Sequence, residues 1–339
     1  MPKKRSSEHR NRAARAGAAA ACAAALAATT TGCAALAAQP LPDDGRPVVL
    51  ATFTVIADMA REVAGDRARV ESLTKPGAEV HGYEPTPSDL QRAVRADLVL
   101  VNGLGLEGWT SRFTDRVRAP QVVLTQDVDV LVIAEGAAAG EEDPHAWMSP
   151  VQAQHYVRAI AAALSELDPA GAPEYAERAR AYGERVAAVG QELAAALAAL
   201  PPEQRALVTC EGAFGYLARD AGLSARYLWP VNSDADATPR RIAAVVEFVE
   251  RGDVPAVFCE STVSDRVQQR VAAETGARLG GTLYVDSLSA PGGPVPTYLD
   301  LLRHDARVVV EGLTGRAGPA GAASGEAAAE AAAGAGAAA

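Results

Sequence analysis

The sequence predicts an α/β protein of two lobes, each a parallel sheet with flanking helices, joined by one long rigid interdomain helix. Three observations predict it. Short apolar runs of strand length alternate with helical patterns, which calls for parallel sheets covered on both faces. One amphipathic stretch, residues 173–200, is longer than any other helical pattern in the chain. Beyond it the alternation starts again, so the second half repeats the logic of the first. With 339 residues, 49% of them hydrophobic, the chain can fill about two domains of ordinary size.

Residues 1–33 stand outside that fold. Lys3, Lys4, Arg5, Arg10, Arg12 and Arg15 precede an apolar run from Ala16 to about Ala28, the order of a bacterial secretory signal. The run ends in Thr30-Thr31-Gly32-Cys33. A small residue before cysteine resembles a lipoprotein cleavage box, with Thr30 where leucine is usual. The expectation is a lipid on Cys33 that anchors the chain to the membrane; the alternative is an ordinary cleavage site near Ala38 and a free exported protein. The run is short for a transmembrane anchor. Losing residues 1–32 removes six basic residues and Glu8, which moves the formal charge from −10 to −15. An acidic exported chain with no basic patch is a poor partner for nucleic acid.

The N-terminal lobe is expected over residues 47–172. Residues 47–54 are an apolar strand, 56–64 a helix stopped by Gly65, and 69–73 a second strand. The segment EVHGYEPTPSDL, residues 79–90, follows. Pro85 and Pro87 bias the residues before them to extended backbone, so His81 sits on a stiff loop that turns into a helix over 88–95. Residues 97–101 are a strand and 106–117 a helix, with Trp109 and Phe113 as a core-facing pair four apart. Residues 121–125 and 130–133 are further strands. The loop 135–143 is acidic, alanine-rich and free of histidine, and leads into DPHAW with His145. A helix over 152–167 ends before Pro169.

In the linking helix, Tyr175, Tyr182, Val186, Val189, Leu193 and Leu197 fall on one stripe, and Pro201-Pro202 stops it. At 1.5 Å per residue it spans roughly 40 Å, enough to run from one lobe to the other. With no glycine-rich linker, the lobes should not swing freely. The C-terminal lobe is expected over 203–314. Strands at 205–209, 225–229, 255–259 and 282–285 alternate with helices at 213–221, 239–251 and 263–275, and a helix at 299–313 closes the fold. Residues 315–339 are nearly all Ala, Gly and Glu, too poor in large apolar side chains to offset ordering entropy, and are expected to be disordered.

Ligands of such sheets bind in loops beyond the carboxyl ends of strands. The polar residues there are His81, His145, Glu211, Glu260 and Asp286. Two neutral imidazoles with two carboxylates balance a divalent cation, whereas buried carboxylates alone would repel and protonate. Taken singly, Glu211 could be an acid at a helix start and Asp286 a turn former. Oxygen and imidazole donors without thiolate suit manganese or ferrous iron and admit zinc.

The motifs HGYEPTPSDL, DPHAWMSP, TCEGAFGYLARDAGL, FCESTVSDR, LYVDSLS and YLDLLRHDARVV together resemble the metal-binding solute-binding proteins of manganese, iron and zinc ABC transporters, over residues 47–313. The resemblance implies that His81, His145, Glu211 and Asp286 are the four metal ligands; Glu260 is read as an acid supporting them, the alternative being a residue that starts a helix. It also implies that the protein captures Mn²⁺, or alternatively Fe²⁺ or Zn²⁺, as a transported ligand, and hands it to a membrane permease and its ATPase, with no catalysis. Zinc-specific members carry histidine at the third position and often a histidine-rich loop before the second. Glu211 and the histidine-free loop 135–143 place this chain with the manganese and iron group. The rival readings are an exported metallohydrolase with Glu260 as general base, and a surface adhesin. A monomer is expected. Cys210 and Cys259 close two strands of one lobe in an oxidising compartment and are candidates for a disulfide, the alternative being two buried thiols.

Overall fold

Apolar β-branched runs pair in parallel wherever a helix carries the chain back across the sheet. A computed structural model of the chain describes residues 44–112, 117–136, 138–230, 237–316 and 318. The expected signal segment with Cys33, the side chain of Phe113 and nearly all of the 315–339 tail lie outside the described residues. Strand β1 (Val48–Ala51) lies at the centre of a four-stranded parallel sheet of order β2-β1-β3-β4, with β2 at Arg69–Ser72, β3 at Leu98–Val101 and β4 at Gln121–Val123. The register pairs Leu50 with Glu71 on one side and Val99 on the other. Helix α1 (Thr54–Ala64) covers this sheet, burying Val55, Ile56, Met59 and Val63. Helix α2 (Pro87–Val94) starts at a capping box in which Thr86 and Asp89 satisfy each other's backbone N–H, a device worth about 1 kcal/mol.

Two expected elements are absent among the described residues. Those of 106–117 form no α-helix, only a 3₁₀ turn at Gly108–Arg112. The cause is local. Glu107 turns its buried carboxylate back to accept the N–H groups of Asn102 and Gly103 and the hydroxyl of Thr52. Gly103, Leu104 and Gly105, immediately before this segment, all take positive φ, so no helix runs into it from β3. Trp109 is buried as expected, but it packs edge-on against Tyr83, at 5.2 Å between ring centres. Residues 130–133 are not a strand either; Val132 makes a single antiparallel bridge to Glu142.

Helix α3 (Ala153–Leu167) leads to the long helix α4 (Ala172–Leu197), whose 26 residues run about 39 Å. Its buried stripe contains Tyr175, Tyr182, Val186, Val189, Leu193 and Leu197, the residues that the sequence picks out. It packs on α1 and α3 of the first half and on the closing helix α8 (Tyr298–Thr314) of the second.

The second half pairs β5 (Ala206–Glu211) with β6 (Ser224–Trp229) and β7 (Ala256–Glu260) with β8 (Arg278–Leu283), both in parallel. Helices α5 (Gly215–Ala221), α6 (Pro239–Gly252) and α7 (Arg266–Thr275) make the crossovers. One continuous sheet does not form; β5 and β7 lie beside each other without a backbone ladder. Gln268, fully buried on α7, bridges them instead, its amide donating to Val208 O at 3.1 Å and Phe258 O at 2.9 Å. A disulfide joins Cys210 to Cys259, with Cα atoms 4.9 Å apart, inside the range such a bond requires. Glu211 and Glu260 therefore end two strands that are covalently tied at the preceding residue.

Candidate metal centre

The four expected ligands come from three loops and the end of one strand and meet at one point. The His81 loop is held from several sides. Arg92 of α2 donates to Ser72 O and Leu73 O, both at 2.7 Å, and Trp109 Nε1 donates to Val80 O at 2.9 Å. Glu79 accepts the backbone N–H of His81 and, at 2.8 Å, that of Gly82. His145 is fully buried in the turn before a short 3₁₀ segment at Ala146–Met148. Asp143 accepts its backbone N–H at 3.0 Å and faces its Nδ1 at 2.8 Å. A proton on Nδ1 leaves the Nε2 lone pair free to point the other way. Glu211 is the last residue of β5, and Asp286 lies three residues beyond β8. Ser287 and Leu288 bond to Thr54 of α1, which fixes the Asp286 loop to the first half.

The donor atoms face one another. His81 Nε2 lies 3.1 Å from His145 Nε2, 3.5 Å from Glu211 Oε1 and 4.0 Å from Asp286 Oδ1. His145 Nε2 is 3.6 Å from the same Glu211 oxygen. Donors about 2.1 Å from a shared ion sit about 3–3.5 Å apart, so the spacing suits one small cation. Neither carboxylate oxygen of Glu211 has a hydrogen-bond partner among the described residues, although the side chain is wholly buried. An unsatisfied buried polar atom costs about 1–3 kcal/mol and a charged one more. A bound cation offsets that cost.

Glu260 does not join the cluster. It is buried beside Glu211 and accepts the Glu211 backbone N–H at 3.1 Å through Oε2. That makes it a brace on the strand end that carries Glu211. Two further contributors went unassigned in the sequence reading: Asp143, whose signal was a carboxylate two residues before histidine, and Glu79, in the same relation to His81.

Residues 49–312 match the family described as "Zinc-uptake complex component A periplasmic". The chain belongs to this family. The iron-binding protein YfeA of Yersinia pestis is 44% identical over 281 residues, covering 82% of this chain and 90% of that protein. The manganese-binding lipoprotein MntA of Halalkalibacterium halodurans is 32% identical over 284 residues, covering 84% and 94%. The Mn-bound periplasmic metal-binding protein of Candidatus Liberibacter asiaticus has a similar structure, with a TM-score of 0.75 at 37% identity over 79% of this chain and all of that one. Two parallel α/β lobes are thus the architecture of the family as well as of this member.

The electrostatics of this family member's site are those of groups assembled for a positive charge. Burial, and then its carboxylate neighbours Asp286 and Glu260, push the Glu211 pKa well above the usual range. Burial raises Asp286 to about 6, partly opposed by His145, and raises Glu260 to about 8. Burial, reinforced by His145, lowers His81 to about 3, so its imidazole is neutral and able to donate a lone pair. A divalent ion reverses the balance for all of them together. Among the described residues no helix is long and apolar enough to cross a membrane.

Proposed function

We propose that this protein is the extracytoplasmic receptor of an ABC-type metal importer. It captures Mn²⁺, with Fe²⁺ and then Zn²⁺ as alternatives, through His81, His145, Glu211 and Asp286. The observation that carries the reading is the set of donor atoms spaced 3.1–4.0 Å apart around His81 Nε2, with Glu211 accepting no hydrogen bond from the described residues. Family membership supports the receptor role, and the names of the relatives bring iron and manganese forward. The donor set supports them further: two nitrogens and two carboxylates, without sulfur, let the coordination number rise above four. Capture and release, not turnover, is the task, since four protein ligands leave little room for an activated water.

A permease and an ATPase are the partners this role requires, and the chain acts as a monomer. The anchor is a lipid on Cys33, so Cys33→Ser should move the protein from the membrane fraction to the soluble one. A mature N-terminus at or beyond Ala38 would refute the anchor and leave the receptor role standing. The receptor role itself is tested by titrating dialysed protein with Mn²⁺. One ion should bind per chain, and His145→Ala should weaken binding at least 100-fold. Unchanged binding in that variant, or none in the wild type, would contradict it.

A further inference from the structure

His81 is the only one of the four proposed ligands that solvent reaches. Its side chain is 14% exposed, against 1% for His145 and 0% for Glu211 and Asp286. A cation arriving from water must therefore meet His81 first. Beside it, on the same stiff loop, Glu79 is only partly buried. The ligand atoms of Glu79, His81 and Asp286 lie within 4.8 Å of one another, and so do those of His81, His145 and Glu211. His81 belongs to both sets. The outer set contains the two loops that join the halves of the molecule: Gly77 donates its N–H to Leu288 O at 3.1 Å and to Ser287 Oγ at 2.7 Å.

The carboxylate of Glu79 is turned by the backbone N–H groups of His81 and Gly82, which use one acceptor site on each oxygen. A carboxylate has about four such sites, so two remain for a further partner. We propose that Glu79, His81 and Asp286 form a landing site, where the incoming cation is first held before it exchanges Glu79 for His145 and Glu211 deeper in the fold. His81 and Asp286 stay bound through the exchange, so the ion never returns fully to water. Glu79 is then a residue that sets the rate of capture, outside the final ligand set. This step rests on the four-ligand reading above.

The test is stopped-flow association with Mn²⁺, read by tryptophan quenching, because the Trp147 ring lies 5.2 Å from that of His145. Glu79→Gln keeps the side chain's shape and removes its charge. Its association rate constant should fall about tenfold, within the range that charge steering commands, while the dissociation constant changes less. Glu84→Gln, an exposed acid on the same loop outside the triad, should leave the rate within about twofold of wild type. Glu79→Asp keeps the charge at the lip but shortens the reach to the two N–H groups. It should hold most of the rate if Glu79 is a landing ligand and lose it if Glu79 is only a brace for the loop. Measured against wild type, Glu79→Asp decides even if Glu79→Gln fails to fold: a tenfold loss of rate in the folded variant overturns the proposal. An unchanged association rate in Glu79→Gln, an equal loss in Glu84→Gln, or a loss in folded Glu79→Asp as large as in Glu79→Gln would each overturn the proposal. These leave the receptor role intact, whereas a wild-type protein with no saturable quenching contradicts both.

Discussion

In the proposed four-ligand site, Glu211 is the residue on which metal choice should turn. It is buried, its oxygens accept no hydrogen bond from the described residues, and two imidazole nitrogens lie within 3.6 Å of it. Glu211→His supplies a third imidazole and removes a charge, so the ratio of Mn²⁺ to Zn²⁺ affinity should fall by about tenfold or more, roughly 1.4 kcal/mol. Competition titration measures it, and an unchanged ratio would take Glu211 out of the ligand set. A second buried acid acts on stability instead. Asp58 accepts the Tyr298 N–H at 2.8 Å, and burial raises its pKa from 3.8 to about 6. The folded protein therefore holds this proton more tightly than the unfolded chain. The resulting stability is fully present below about pH 4 and is lost as pH rises through 6. At pH 7 the penalty is of order 2–3 kcal/mol. Asp58→Asn keeps an acceptor for Tyr298 and cannot ionise, so it should be more stable than wild type at pH 7 and lose that advantage at pH 4. Urea midpoints at both values check this; an equal difference at the two would contradict it.

At the scale of elements, what the sequence made legible was what periodicity and strand ends encode. The stripe of α4 follows from spacings of three, four and seven, and every residue of it is buried. Glu211 ends β5 and Asp286 lies three residues beyond β8, where parallel strands deliver their carboxyl ends to one side, whereas His81 and His145 reach the same point on longer connections. The apolar spacing of 106–117 is helical, but Glu107 bonds backward to Asn102 and Gly103, a local side-chain-to-backbone choice that spacing does not record. Residues 130–133 alternate like a strand but make only one isolated bridge, Val132 to Glu142, beside turn-like bonds to residues 140, 141 and 143. The separation of β5 from β7 depends on Gln268, whose side chain takes the place of a ladder, and no local pattern announces that. The disulfide is the cross-link between these strands. Closing a loop of 49 residues, it should contribute about 3–4 kcal/mol by the chain-entropy account. Cys210→Ser with Cys259→Ser should lower the denaturation free energy by that order. Two free thiols in freshly exported wild-type protein, counted under denaturing and non-reducing conditions, would contradict the bond.

At the scale of the molecule, α4 crosses from one half to the other without a break, and the Asp286 loop is bonded to Thr54 of the first half. A receptor built this way has little freedom to open widely, so its radius of gyration in solution should be the same with and without Mn²⁺ within experimental error. A change of several ångströms would show a hinge where the fold has a rod. The central claim is that one cation is held where three loops and the end of β5, drawn from both halves, meet. Anomalous diffraction from crystals grown with Mn²⁺, collected on the high-energy side of the manganese edge, tests it most directly. The account predicts a single strong peak within about 2.5 Å of the side chains of His81, His145, Glu211 and Asp286. A peak elsewhere, or none in this cluster at saturating Mn²⁺, would contradict it.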